Sequence, residues 1–127
     1  MPFNWNDFLT LAAELAPKPD EASKRTAISR AYYCVFNLAN ARAELKVGRR
    51  PKGEPSHQWC WDQYRNTHDL TCSHLGNAGE RLKRMRVKAD YEAADNRRLR
   101  EEVERVLEDA REFLDGLAAL NPNYPSP

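Results

Sequence analysis

An apolar repeat near the C-terminal end constrains this chain more than any other feature. Leu99, Val103, Val106, Ala110, Phe113, Leu117 and Leu120 follow one another at alternating steps of four and three residues. That spacing lays a continuous stripe along one face of an α-helix and scatters across both faces of a strand. It predicts a helix from about Asn96 to Leu120 that packs in a bundle or in a helical dimer. Glycine is scarce, while Ala, Leu, Glu and Arg dominate the second half, and no strand-period alternation runs beyond a few residues. The chain therefore reads as an all-α domain.

The upstream segments divide at helix signals. Asn4 is placed to cap a first helix, with Asp7 three residues on and Phe3 and Phe8 at the positions of a hydrophobic staple. Its stripe is Phe8, Leu11, Ala12 and Leu15, and Pro17 and Pro19 end it. Asp20 is the expected cap of a longer second helix, in which Ile28, Ala31, Tyr32, Val35, Leu38 and Ala39 recur at helical spacing. Tyr33 and Phe36 widen that stripe, which makes this helix the central, most buried one. Residues 47–55 hold two glycines and two prolines and read as a loop. Ser56 opens a third helix with Trp61, Tyr64, His68, Cys72 and Leu75 on its inner face. Gly76 and Gly79 read as its end, with Asn77 and Glu80 as a capping box for a fourth helix carrying Leu82, Met85 and Ala89. The result is an up-and-down bundle of four to five helices.

At 127 residues the chain suits one domain, residues 1–120, followed by a loose proline-rich tail, residues 121–127. Three cysteines, Cys34, Cys60 and Cys72, and no signal-peptide pattern suit a reducing cytoplasm. No apolar run approaches the roughly 20 residues of a membrane span. Twenty Lys and Arg against nineteen Asp and Glu give a net charge of +1, which excludes a generally cationic nucleic-acid coat. The total hides local segregation. Arg81, Lys83, Arg84, Arg86 and Lys88 form one basic cluster, and Arg42, Lys46, Arg49, Arg50 and Lys52 form another. Such clusters can position a phosphate backbone, or they can be solvated helix faces partly paired with the acids of the last helix.

Few residues suggest a cofactor. His57, Cys60, His68 and Cys72 are zinc-ligand types, but on one helix His57 and Cys72 would stand about 22 Å apart at 1.5 Å rise per residue. No metal site and no cofactor is expected. Phosphate loops of the G-x-x-x-x-G-K-[ST] and G-x-G-x-x-G kinds are absent, as is a G-x-S-x-G elbow. Cys34 lies within the apolar stripe of the second helix and reads as a packed thiol.

Three segments together resemble the HEPN family of helical-bundle domains found in prokaryotic toxin and defence systems. Ser29-Arg30-Ala31-Tyr32-Tyr33-Cys34-Val35-Phe36 is similar to the Ser-Arg-Ala-Tyr-Tyr-x-x-Phe run of one HEPN branch. Ser56-His57 places a histidine at the start of the third helix. Arg86-Val87-Lys88-Ala89-Asp90-Tyr91 matches that branch's Arg-x-x-Ala-Asp-Tyr signature. The resemblance spans roughly residues 5 to 118.

The resemblance implies a bundle that is often a homodimer, with the third segment near the dimer cleft. It also implies RNA or a nucleotide as ligand, contacted by Arg30, Tyr33, Arg86, Asp90 and Tyr91, and a nucleotidyltransferase-type antitoxin as partner in a toxin–antitoxin or defence setting. Many HEPN proteins are metal-independent ribonucleases with an Arg-x4-6-His motif, in which arginine holds phosphate charge and histidine moves the 2′-hydroxyl proton. This chain departs from that motif, since no histidine follows Arg86. An active enzyme would have Arg86 and His57 as its catalytic residues. The alternative is a non-catalytic protein interaction module, in which Arg86, Asp90 and Tyr91 form a buried network with Arg30 or Tyr33 that only holds the fold or the dimer. The four-residue step from Arg86 to Asp90 is that of a same-face ion pair.

Overall fold

The structure is a computed structural model that describes residues 2–93 and 97–127. Five helices follow one another: α1 (Asn6–Leu15), α2 (Glu21–Val47), α3 (Ser56–Arg65), α4 (Leu70–Tyr91) and α5 (Leu99–Ala119). Among the described residues there is no strand, and the domain is an all-α helical bundle. The 27-residue α2 is its axis and touches each of the other four helices. Asp20 caps it as its sequence position predicts, its carboxylate accepting from the Ser23 amide at 2.9 Å and the Ser23 hydroxyl at 2.7 Å. Tyr32, Val35, Phe36 and Ala39 are all buried along it.

At α1, the Asn4 side chain accepts from the Asn6 amide at 3.0 Å, and Phe3 meets Phe8 with ring centres 5.2 Å apart. The expected stripe needs one change, because Leu11 is exposed while Leu9 packs on the core. All seven residues of the α5 repeat are buried against the chain's own interior. Of the two packings the repeat allows, this one is the bundle. The helix is assigned from Leu99; the expected start, Asn96, lies outside the described residues.

The third and fourth helices divide elsewhere than the glycines suggest. The break falls at residues 66–69, where the Asp69 carboxylate accepts from the Cys72 amide at 3.2 Å and caps α4. Asn77 and Glu80 therefore lie inside a continuous helix and form no capping box. His68, placed on an inner face from spacing, sits in that break and is exposed. Gly76 and Gly79 serve a close helix–helix approach. A Cβ on Gly76 would lie 2.6 Å from Arg65 Cγ, and one on Gly79 would lie 2.3–2.5 Å from three carbons of the Trp61 ring. The missing side chains form a notch in α4 into which α3 sets Trp61.

The tail, loose by its proline content, is tethered. Arg42 on α2 donates to the carbonyls of Leu117 (2.7 Å), Tyr124 (2.8 Å), Asn121 (3.0 Å) and Leu120 (3.3 Å), and Pro125 is buried. One guanidinium thereby satisfies carbonyls at the end of α5, where helices leave them without internal partners.

Candidate functional site

Arg86 stands in register with the buried stripe of α4, between Leu82 and Ala89. It is the one charged residue among the described ones whose side chain is buried to this degree, at 8% exposed, and it faces α2. Its guanidinium carbon lies 5.3 Å from the ring centre of Tyr33, 5.6 Å from Tyr32 and 6.0 Å from Tyr91. Aromatic faces can compensate part of the lost hydration of a cation, but they accept no strong hydrogen bond. Among the described residues its carboxylate neighbour is Asp90, whose Oδ2 is 3.6 Å from Nη1, beyond ordinary hydrogen-bond reach. Arg86 Nε is buried and has no hydrogen-bond partner among the described residues.

Neighbouring residues extend the pattern. Arg30 lies 5.1 Å from the Tyr33 ring centre and 4.7 Å from that of Phe8 on α1. Cations and rings thus alternate across three helices in the order Phe8, Arg30, Tyr33, Arg86, Tyr91. Ser29 ties the two arginines together on the polar side: its hydroxyl donates to Asp90 Oδ2 at 3.3 Å and accepts from Arg30 Nη2 at 3.3 Å. Tyr91, at the outer end, is 74% exposed.

His57 enters from the first turn of α3. Its ring stacks on Phe36 at 4.0 Å between centres and on Tyr32 at 5.5 Å, and meets Tyr33 edge-on at 5.9 Å. The Tyr32 hydroxyl lies 2.6 Å from His57 Nδ1 and accepts from Trp61 Nε1 at 3.1 Å. The indole can only donate, and the phenol oxygen keeps a second lone pair, so the direction of the Tyr32–His57 bond follows the imidazole tautomer. Burial, then the charges of Arg86 and Lys83, lower the His57 pKa to about 4. At neutral pH the ring is uncharged. Burial raises the Tyr32 pKa, so its phenol stays protonated.

All six residues singled out from the sequence, Arg30, Tyr33, His57, Arg86, Asp90 and Tyr91, share this one region. The basic clusters do not act as units. Only Arg86 turns inward; Lys83 is close enough to His57 to act on its charge, and Lys88 pairs with Glu102 on α5 at 2.9 Å. In the other cluster, Arg42 holds the tail and Arg50 donates to the Glu54 carbonyl. Cys34, Cys60 and Cys72 are buried free thiols, and burial pushes Cys34 up to about 11. Among the described residues no group of three or more His, Cys, Asp or Glu side chains is arranged to hold a metal ion, and no helix is long and apolar enough to cross a membrane.

The family model of the HEPN domain matches residues 12–119, from the middle of α1 to the end of α5. The chain belongs to the HEPN family. No curated protein and no solved structure is detectably similar to it. In this HEPN protein the six residues all lie within the matched span, and the fold places an aspartate and a tyrosine after the buried arginine, with the imidazole brought in from another helix.

Among the members of the region that escaped sequence reasoning as site residues are Ser29, Tyr32, Trp61 and Lys83. Ser29 and Tyr32 belong to the same signature as Arg30 and Tyr33, so adjacency was an available signal. Lys83 precedes Arg86 by three residues, which puts both on one side of a helix. Trp61 follows His57 by four residues, but nothing in that spacing shows a hydrogen bond to a phenol on α2.

Proposed function

We propose that this HEPN protein binds RNA or a nucleotide, with a phosphate seated on Arg86. The observation that carries the reading is the buried guanidinium whose Nε has no partner. An unsatisfied buried donor costs about 1–3 kcal/mol, and a phosphate oxygen is the kind of acceptor that removes that cost. Tyr91, exposed beside it, offers a face for a base, and stacking of this kind is tolerant of sequence.

Cleavage without a metal would call on Arg86 to hold phosphate charge and on His57 to move the proton. The surroundings of His57 oppose the second role. Its Nδ1 is already engaged by the Tyr32 hydroxyl, and a pKa near 4 leaves the ring uncharged and a weak base at neutral pH. The reading is therefore binding first, with slow turnover at most. It extends to a homodimer in the cytoplasm, working in a toxin–antitoxin or defence system beside a nucleotidyltransferase-type antitoxin, settings that rest on the family. The competing interaction module, with a polar signature that only holds the fold, needs Arg86 saturated from within, and its Nε and the 3.6 Å contact to Asp90 count against that.

The test is titration of a labelled single-stranded RNA in EDTA at several salt concentrations, with the same samples run on a gel for cleavage. Expected are salt-sensitive binding by the parent, at least a tenfold loss in Arg86→Ala and a smaller loss in His57→Ala. A parent that binds no RNA or nucleotide at low salt would overturn the reading.

A further inference from the structure

We infer that Asp90 is the resident anion of the Arg86 site and handicaps incoming ligands in proportion to their charge, so that it discriminates against doubly charged phosphate monoesters relative to singly charged phosphodiesters. The inference rests on the reading of Arg86 as a phosphate seat. Asp90 and Arg86 are one turn apart on α4, so the carboxylate cannot leave the neighbourhood when a ligand arrives. It has somewhere to shift. Its Oδ2 is already 3.3 Å from the Ser29 hydroxyl, nearer than the 3.6 Å to Arg86 Nη1, and Arg30 backs that hydroxyl from the other side. Ser29 is itself buried on α2 and fixed in position. A phosphate on Arg86 therefore displaces a loosely held carboxylate toward Ser29, and the two anions remain neighbours.

Repulsion from that neighbour doubles when the ligand carries two charges in place of one. A phosphodiester carries one negative charge, whereas a terminal monoester, with its second pKa near 6, carries close to two at pH 8. Even in the dielectric of bulk water, two unit charges about 6 Å apart interact strongly enough for about a threefold change in affinity. The handicap is then about threefold for a diester and about tenfold for a monoester. Arg30, Lys83 and Glu80 also contribute to the local field, but they are unchanged when Asp90 alone is altered.

The experiment is calorimetric titration at pH 8 and low salt with two probes, adenylyl-3′,5′-adenosine and adenosine 5′-monophosphate. Asp90→Asn is expected to tighten the first about threefold and the second about tenfold. Asp90→Ser, which also removes the charge, is expected to give the same pattern, so a folding defect peculiar to one variant does not decide the matter; circular dichroism checks both. Ser29→Ala is expected to weaken both probes, because the carboxylate then rests on Arg86 alone. Equal gains for the two probes, no gain, or weaker binding in both Asp90 variants would overturn the inference. The two readings separate at Arg86→Ala. If that variant binds like the parent, phosphate does not sit on Arg86 and both fall; if it loses binding while the Asp90 variants keep the parent's ratio, only the role of Asp90 falls. Failure of parent and Asp90 variants alike to bind either probe also overturns both.

Discussion

Replacing Gly79 by alanine tests the packing that delivers His57. In the middle of a helix this change ordinarily stabilises by about 0.5–1 kcal/mol, since glycine has more backbone freedom to lose. Here the added Cβ would sit 2.3–2.5 Å from three carbons of the Trp61 ring. Carbon atoms in contact need about 3.5 Å or more, so α3 and α4 must separate by roughly an ångström. Trp61 cannot retreat, being fully buried and set edge-on against Phe113 with ring centres 5.7 Å apart. Overpacking of this kind costs about 1–3 kcal/mol, and the opened interface adds lost contacts. The net expectation is destabilisation by about 2 kcal/mol, a fall in melting temperature of about 8 °C for a domain of this size. Urea denaturation measures it. Gly116→Ala is the control: its Cβ would meet the Leu75 side chain alone, at 3.0 Å from the Cδ2 methyl, which can rotate away, and 4.0 Å from Cγ, so stability should stay within about 0.5 kcal/mol of the parent. Trp61→Leu makes room, so the cost of Gly79→Ala should largely disappear in that background. A Gly79→Ala variant as stable as the parent would refute the notch.

Three other outcomes follow from named contacts. The depressed His57 pKa means the unfolded chain takes up a proton that the folded chain refuses, so stability is full above the ordinary histidine value of about 6.5 and declines as pH falls toward about 4; urea midpoints from pH 7 to 4 should fall less steeply in His57→Phe, and parallel curves would contradict the assignment. Arg42→Ala removes four carbonyl contacts and should cost about 2–3 kcal/mol while making the tail cleavable in limited proteolysis; an equally resistant tail would show that Arg42 is not its tether. Asp69→Ala should cost about 1 kcal/mol as a lost cap, whereas Asn77→Ala should be close to neutral, and the reverse order in thermal melts would move the helix boundary back to the glycines.

The C-terminal helix was legible because its apolar spacing is long and regular, so one face carries all seven residues of the repeat into the core. The boundary between α3 and α4 was not. Gly76 and Gly79 look like a helix end to any local reading, and only the position of Trp61 on another helix explains why they are small. The same limit holds for His68, whose helical register with Cys72 fails because Asp69 starts a new helix between them. Within the site, the pair Arg86 and Asp90 could be read from a four-residue step. The bond from Trp61 to Tyr32 and on to His57 could not, since it joins residues 25 and 29 positions apart through the packing of two helices. Arg42 illustrates the opposite error: counted with a basic cluster, it serves as a distant cap for the carbonyls of α5.

The glycine notch has a consequence for how this bundle can change over time. A ten-residue helix such as α3 is marginal in isolation, so the imidazole it carries has no address of its own and borrows one from the tryptophan four residues later. Selection for a better-packed interior and selection on the surroundings of His57 therefore act on the same few side chains. Descendants that enlarge Gly79 must shrink Trp61, and with the indole gone Tyr32 loses the donor that orients its phenol. Variation in the core and variation in chemistry should then be inherited together, as a single linked trait.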